Sequence, residues 1–342
     1  MHEALFYNTL EDGKIQCTLC PRRCIIANTK LGFCGVRRNL DGKLYCLTYG
    51  KVSSACADTI EKKPLYHFFP GSYAYSIGSL GCNLRCRHCQ NWHIAHANIN
   101  ASSRETTFLP VEDLITLTKD TGCKGIAWTY NEPTIWIEYA IDGAKAAKKE
   151  GLYTVFVTNG FISPDALDAI GPYLDAYRMD LKGFSGKFYP EVAHVKNIQP
   201  ILDAAIRAKA IWKMHVEIIT LVVPGYNDST EELREIARFI SQNLGKETPW
   251  HATRFHPYLD LSDVPPTPVR KLEEARSIGM EEGLMFVYTG NVPGHPGENT
   301  YCYRCGKTLI ERLGFCANTF EIEDGKCKYC NVDIPIVGEY GS

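Results

Sequence analysis

Cys82, Cys86 and Cys89 lie in the run Gly81-Cys82-Asn83-Leu84-Arg85-Cys86-Arg87-His88-Cys89 and offer three thiolates at CxxxCxxC spacing. A four-iron cluster is normally held by four thiolates. Three leave one iron without a protein ligand, and an open coordination position is where a metal acts on a substrate. A zinc knuckle is the bland alternative. Zinc sites favour paired CxxC units with a fourth ligand, whereas this run opens with a three-residue gap.

The run closely resembles the signature of the radical S-adenosylmethionine (SAM) enzymes. One position departs: the residue before the last cysteine, usually aromatic, is His88. The resemblance implies a [4Fe-4S] cluster whose open iron is chelated by the amino and carboxylate groups of SAM. It also implies one-electron cleavage of SAM to methionine and a 5′-deoxyadenosyl radical.

Two further blocks supply four thiols each. Cys17, Cys20 and Cys24 are followed by Cys34, a set able to clamp a segment too short to bury a core of its own. Zinc or a purely structural cluster is the expected occupant, since spacing does not choose between zinc and an auxiliary iron–sulfur cluster; reduced, unligated cysteines are the bland alternative. Near the end, Cys302-Tyr303-Arg304-Cys305 and Cys327-Lys328-Tyr329-Cys330 form two CxxC knuckles. Their tight turns read as a structural zinc ribbon. Cys316, between the knuckles, is left out as a ligand. Cys46 and Cys56 have no close cysteine partner and read as small buried residues.

The elements that must position these groups alternate between strand and helix. Short apolar runs predict strands at 75–80, 125–130, 153–158, 175–181, 214–223 and 251–255, with another at 284–288. Helices are predicted after Pro110, over 135–149, from Ser163-Pro164-Asp165, over 198–209, from Asn227 to about 244, and after Thr267-Pro268. Repeated βα units require a parallel sheet with helical crossovers. Six units suit an incomplete (β/α)6 barrel of the TIM type, in which chemistry gathers at the C-terminal strand ends. The cysteine motif follows the first strand and falls at that end. The expected domains are a Cys-rich segment over 1–70, the partial barrel over 71–293 and the four-Cys module over 294–342.

Strand ends then supply candidates for holding SAM. Asn131 and Glu132 precede Pro133 at a helix start and suit an ammonium group; a plain helix cap is the competing reading. Asn159-Gly160 is explained by a turn alone. Asp180 needs a partner if buried, and Lys182 or a bound cation would serve. The turn at 222–228 offers backbone and apolar surface for an adenine. Arg254 and His256 follow the sixth strand within reach of a ribose or a substrate, although a packing role fits His256 equally well.

The whole chain bounds these readings. Its 342 residues carry a formal net charge of −2, which weighs against nucleic acid as a partner. Fifteen cysteines, odd in number and clustered, point to metal thiolates in a reducing compartment rather than disulfides. No basic-then-apolar leader is visible and no apolar run approaches a membrane span, so a cytoplasmic protein is expected.

Together the segments closely resemble pyruvate formate-lyase activating enzymes, through the cysteine motif and the runs at 157–161, 179–182 and 222–228. In those enzymes the acidic segment after the second strand binds the amino group of SAM, which maps onto 131–134. Their monovalent-cation site maps partly onto Thr158 and Asp180, with Val157 replacing an acidic residue. The resemblance is closer still to the radical SAM member of the AmmeMemoRadiSam system. That subgroup shares the N-terminal cysteine block, the runs at 64–71, 130–134 and 288–294, and the terminal CxxC pair. It implies a low-potential electron donor of the flavodoxin or ferredoxin type, and either a protein substrate or neighbouring proteins of that system. The target stays open between a protein, as for a glycyl-radical activase, and a small molecule. An RNA-modifying enzyme using Lys326 and Lys328, and a metal-binding adaptor, are weaker alternatives.

Overall fold

The computed structural model describes residues 1–97, 99, 106–184 and 187–340. An eight-stranded sheet organises it, comprising β1 (Ser54–Thr59), β2 (Tyr73–Gly78), β3 (Gly125–Trp128), β4 (Tyr153–Thr158), β5 (Ala176–Asp180), β6 (His215–Val222), β7 (Trp250–Arg254) and β8 (Val287–Gly290). Its spatial order follows the chain. β2 to β8 are parallel, and β1 pairs antiparallel with β2, Ser54 opposite Gly78. The six expected βα units are therefore present, closed by the seventh parallel strand. The edge strand β1 was not predicted, because Ser-Ala-Cys-Ala-Asp-Thr lacks the apolar density of its neighbours. It lies upstream of position 71, where the barrel was expected to begin. Cys56 on this edge is exposed rather than buried, while Cys46 is buried as expected.

The crossover helices are α1 (Val111–Asp120), α2 (Ile137–Lys149), α3 (Pro164–Ile170), α4 (Gln199–Ala210), α5 (Thr230–Phe239) and α6 (Val269–Glu281). Local signals fix their starts. The Ser163 and Ser229 hydroxyls accept from the N–H groups of Ala166 and Glu232, each satisfying a donor the helix leaves open. Strand alternation then sorts the two faces of the sheet. Ile77, Trp128, Phe156, Met179, Ile218 and Trp250 pack under the helices. The other face carries smaller or polar groups such as Ser76, Ala127, Arg178, Glu217 and Thr253, all buried, and so leaves space inside the curve of the sheet.

Two flanking segments are bound to this frame. In the first, buried Arg37 forms a 2.5 Å ion pair with Glu138 of α2 and donates to the carbonyls of Ile135 and Leu5. In the second, buried Arg312 donates to the carbonyl of Tyr66, and Leu309 and Ile310 pack against Tyr66, Phe286 and Tyr288. Among the described residues no helix is long and apolar enough to cross a membrane.

Candidate functional site

Gly81 sets the start of the cysteine loop. Its φ is +89°, and a Cβ there would stand 2.5 Å from the carbonyl oxygen of Cys34, so only glycine lets the loop close onto the N-terminal segment. The loop leaves β2 and is pinned from the next strand end. Asn131 accepts from the N–H of Ser79 at 3.0 Å and donates to the carbonyl of Gly81 at 2.9 Å. Asn83 donates to the carbonyl of Phe161 and accepts from Asn159, whose amide nitrogen also lies 3.7 Å from the Cys82 sulfur.

These contacts surround a cavity of about 520 Å³ at the C-terminal ends of the parallel strands, a volume within the usual range for small-molecule sites. Cys82, Cys86, Cys89, His88, Asn131, Glu132, Thr158, Asn159, Asp180 and Lys182 all line it. A larger opening of about 1260 Å³ lies at the opposite strand ends, around Leu152, Asp175, Met214 and Pro249, and has no cysteine in its wall. The three cysteines of the motif line the smaller space.

Glu132 is only 2% exposed. Its Oε1 accepts from Thr134 N, Thr134 Oγ1 and Thr158 Oγ1, while Oε2 accepts from Asn159 N at 2.8 Å. The carboxylate, rather than Asn131, is thus the cap of the turn beginning at Pro133. A carboxylate offers about four acceptor positions, and Oε2 keeps one of its two. Burial pushes the Glu132 carboxyl up, against the four donors that pull it down.

Asp180 does meet Lys182, at 2.8 Å, and also pairs with Arg178. Burial would raise its carboxyl, yet the Arg178 and Lys182 cations hold it at about 2. Burial pushes the Cys82 thiol well up and the Cys86 thiol up to about 11. Thiols with this affinity for a proton become thiolates when a metal replaces that proton. His88 is likewise buried, held neutral with its pKa at about 3 by burial, and its Nδ1 has no hydrogen-bond partner among the described residues. It stands edge-on to Phe188, with ring centroids 5.5 Å apart. The His88 ring thus lines the cavity beside the three thiols.

Arg254 and His256 fall elsewhere. Alternation along β7 sends Thr253 into the cavity, while Arg254 donates to the carbonyl of Thr267 at 2.9 Å and His256 is exposed. Neither belongs to the cavity wall among the described residues. The 222–228 turn is closed on itself. Asn227 accepts from Val223 N and donates to the carbonyls of Leu221 and Lys182, leaving Ile219 and Leu221 as the apolar wall.

Sequence reasoning missed Lys62, Lys63, Arg178 and Phe315, which also line the cavity. Arg178 was findable, because residues two apart on a strand share a face. Lys62 and Lys63 pair with Asp58, which accepts from Tyr130 as well. Phe315 is half exposed, beyond the end of the strand Thr308–Leu313 in the C-terminal module. No local pattern announces its arrival at the cavity.

In the C-terminal module Cys302, Cys305, Cys327 and Cys330 offer sulfurs all within 4.8 Å of one another, with Cys302–Cys330 at 3.6 Å and Cys305–Cys327 at 3.8 Å. Those separations suit one tetrahedral ion at thiolate bond lengths near 2.3 Å. Exposed Cys316 is outside the group.

Comparison with known proteins identifies the class. The pattern of the radical SAM superfamily matches residues 76–240, from β2 into the helix after β6. The uncharacterized protein MJ0808 of Methanocaldococcus jannaschii is 44% identical over 342 residues, covering 98% of this chain and 100% of that protein. Pyruvate formate-lyase 1-activating enzyme of Escherichia coli K12 is 24% identical over 196 residues, 54% of this chain and 76% of that enzyme. Among solved structures, a radical SAM methyltransferase from Sphaerobacter thermophilus superposes with a TM-score of 0.50 at 13% identity, over 66% of this chain and 70% of that one. This chain belongs to the radical SAM superfamily. It is an enzyme homologous to the activating enzymes, with the [4Fe-4S] and SAM chemistry that membership implies.

Proposed function

We propose that the chain reductively cleaves SAM at a [4Fe-4S] cluster held by Cys82, Cys86 and Cys89 and uses the product radical to take hydrogen from a substrate. The observation that carries this reading is the meeting of three thiols of one loop with a partly unfilled Glu132 carboxylate in one strand-end cavity. When bound, cluster and SAM supply one-electron scission of a sulfur–carbon bond, giving methionine and a radical that abstracts a hydrogen atom. The protein supplies position. Asn131 and Asn83 hold the loop, and the free acceptor position of Glu132 would accept from an ammonium group. Asn159 donates beside Cys82. Asp180, neutralised by Arg178 and Lys182, keeps those cations fixed at the cavity wall rather than offering a vacant cation site. Thr158 is likewise engaged with Glu132. A tetrahedral zinc at the C-terminal thiols fits their spacing and has a structural role.

Activation of a protein partner is the second reading, with the relatives named as activating enzymes in its favour. Its specific support is Phe315 in the cavity wall together with Leu313, 64% exposed, at the same hairpin. Exposed apolar residues at a site rim suit a macromolecular substrate. The electron donor in either reading is a low-potential protein of flavodoxin or ferredoxin type.

Anaerobically reconstituted protein is expected to give a reduced-cluster paramagnetic resonance spectrum that changes on adding SAM. Cys82→Ala/Cys86→Ala/Cys89→Ala is expected to lose that response. A SAM-responsive spectrum in the triple variant would refute the assignment.

A further inference from the structure

Cys17, Cys20, Cys24 and Cys34 are all free thiols gathered at one place. Cys17 ends the strand Ile15–Cys17 and donates its N–H to the carbonyl of Cys24. A Cβ at Gly32 would lie 4.0 Å from the Cys24 Cβ, which brings the Gly32–Gly35 turn and its Cys34 to the same corner. These contacts bring the backbone of the cysteine block together at one corner of the N-terminal segment.

The sulfurs of these cysteines do not meet at the separation a single ion requires. Zinc–thiolate bonds of about 2.3 Å allow sulfurs at most ~4.6 Å apart. The C-terminal thiols meet that condition, whereas among the described residues no three of the N-terminal thiols lie within 4.8 Å of one another. The same holds for Cys82, Cys86 and Cys89. In a cubane each thiolate binds its own iron, so the sulfurs stand further apart than around one ion. One chain thus contains a tight four-thiol set and two wide sets.

The two wide sets adjoin. Arg22, between Cys20 and Cys24 in sequence, donates to the carbonyl of Asn83 at 2.5 Å, next to Cys82. Arg85 donates to the carbonyl of Phe33, next to Cys34, at 2.8 Å. Gly81 packs on the carbonyl of Cys34 itself. Arginines bridging neighbouring residues of both sets place positive charge where two anionic thiolate clusters would repel each other.

We propose that Cys17, Cys20, Cys24 and Cys34 hold an auxiliary iron–sulfur cluster, not zinc, against the loop bearing Cys82, Cys86 and Cys89. This inference deepens the functional reading and rests on it for the comparison between the wide sets. The test is iron, acid-labile sulfide and zinc analysis with Mössbauer spectroscopy on the full chain after anaerobic reconstitution. Wild type is expected to hold about eight irons and about one zinc. The Cys82→Ala/Cys86→Ala/Cys89→Ala variant should keep roughly half the iron and sulfide and lose the SAM response. Cys20→Ala should show the reverse, with half the iron and an intact SAM response. A triple variant with no labile sulfide, whether it holds about two zincs or no second metal, overturns the proposal. If a variant fails to fold, the wild-type count decides, because about four irons in total would also overturn it. A SAM response surviving in the triple variant would instead sink the assignment of Cys82, Cys86 and Cys89, a separate outcome.

Discussion

Glu132 joins two strand ends through donors on Thr134, Thr158 and Asn159. Its place at a helix start was legible from Asn131 and Pro133. Its partners were not, because Thr158 and Asn159 stand 26 and 27 residues away and no local pattern encodes that meeting. Truncation at Glu132 therefore reaches folding as well as the cavity. Glu132→Ala strands the N–H of Asn159 and the hydroxyl of Thr158 in a buried place. It is expected to cost about 1–3 kcal/mol in urea unfolding and to weaken SAM binding by equilibrium dialysis. Glu132→Gln, which keeps the shape, should fold better and still bind SAM more weakly than wild type. Unchanged SAM affinity in both variants would remove Glu132 from the site. His256→Ala, exposed and outside the cavity wall, should leave SAM binding as it is.

Among the elements, the βα repeat was readable strand by strand because periodicity and capping residues are local signals. β4 was predicted to the residue, and β2 began two residues early. The edge strand β1 escaped notice because its pairing with β2, not its own composition, makes it a strand. The C-terminal module was equally plain in its cysteines and silent about its docking. Arg312, Leu309 and Ile310 fasten its first long strand to Tyr66 and Tyr288, while the cysteine tips join that packing through Cys302 and Cys327 and leave Cys305 exposed. Cys302→Ser should therefore raise hydrogen–deuterium exchange at 302–307 and 326–331 and leave 308–312 protected. The expected metal analysis is a loss of about one zinc per chain. Equal loosening of 308–312 would mean that the metal, rather than packing on the sheet, holds the whole module.

At the scale of the molecule, the run at 64–71 was visible only as a family likeness. The structure gives it a physical task. The backbone N–H groups of Tyr66 and His67 donate to buried Glu217, which also accepts from His215 and His251. His67 bridges the carbonyl of Pro335 and the hydroxyl of Tyr288, tying the C-terminal module to the barrel interior. Full burial lowers the pKa of His67 to about 3. In the unfolded chain it titrates near 6.5, so below that pH the unfolded state binds a proton that the native state refuses. Stability should fall as pH drops from about 6.5 towards 3, by about 1.4 kcal/mol per pH unit from His67 alone. Glu217, held well below its ordinary value against burial by His215 and His251, adds a loss of the same sign below the carboxylate range. Urea unfolding at pH 7.0 and 5.5 measures the slope, and His67→Gln should reduce it by about one proton's worth. A slope that persists undiminished would place the acid sensitivity elsewhere.

Cleavage of SAM is the most direct measure of the central claim. With cluster content verified, a strong one-electron reductant and no substrate, wild-type protein should slowly form 5′-deoxyadenosine and methionine. The Cys82→Ala/Cys86→Ala/Cys89→Ala variant, folded by circular dichroism, should form none. Liquid chromatography of the quenched mixture reads both. Wild type with an intact, reduced cluster that yields no 5′-deoxyadenosine, even when candidate protein partners are added, would contradict the account.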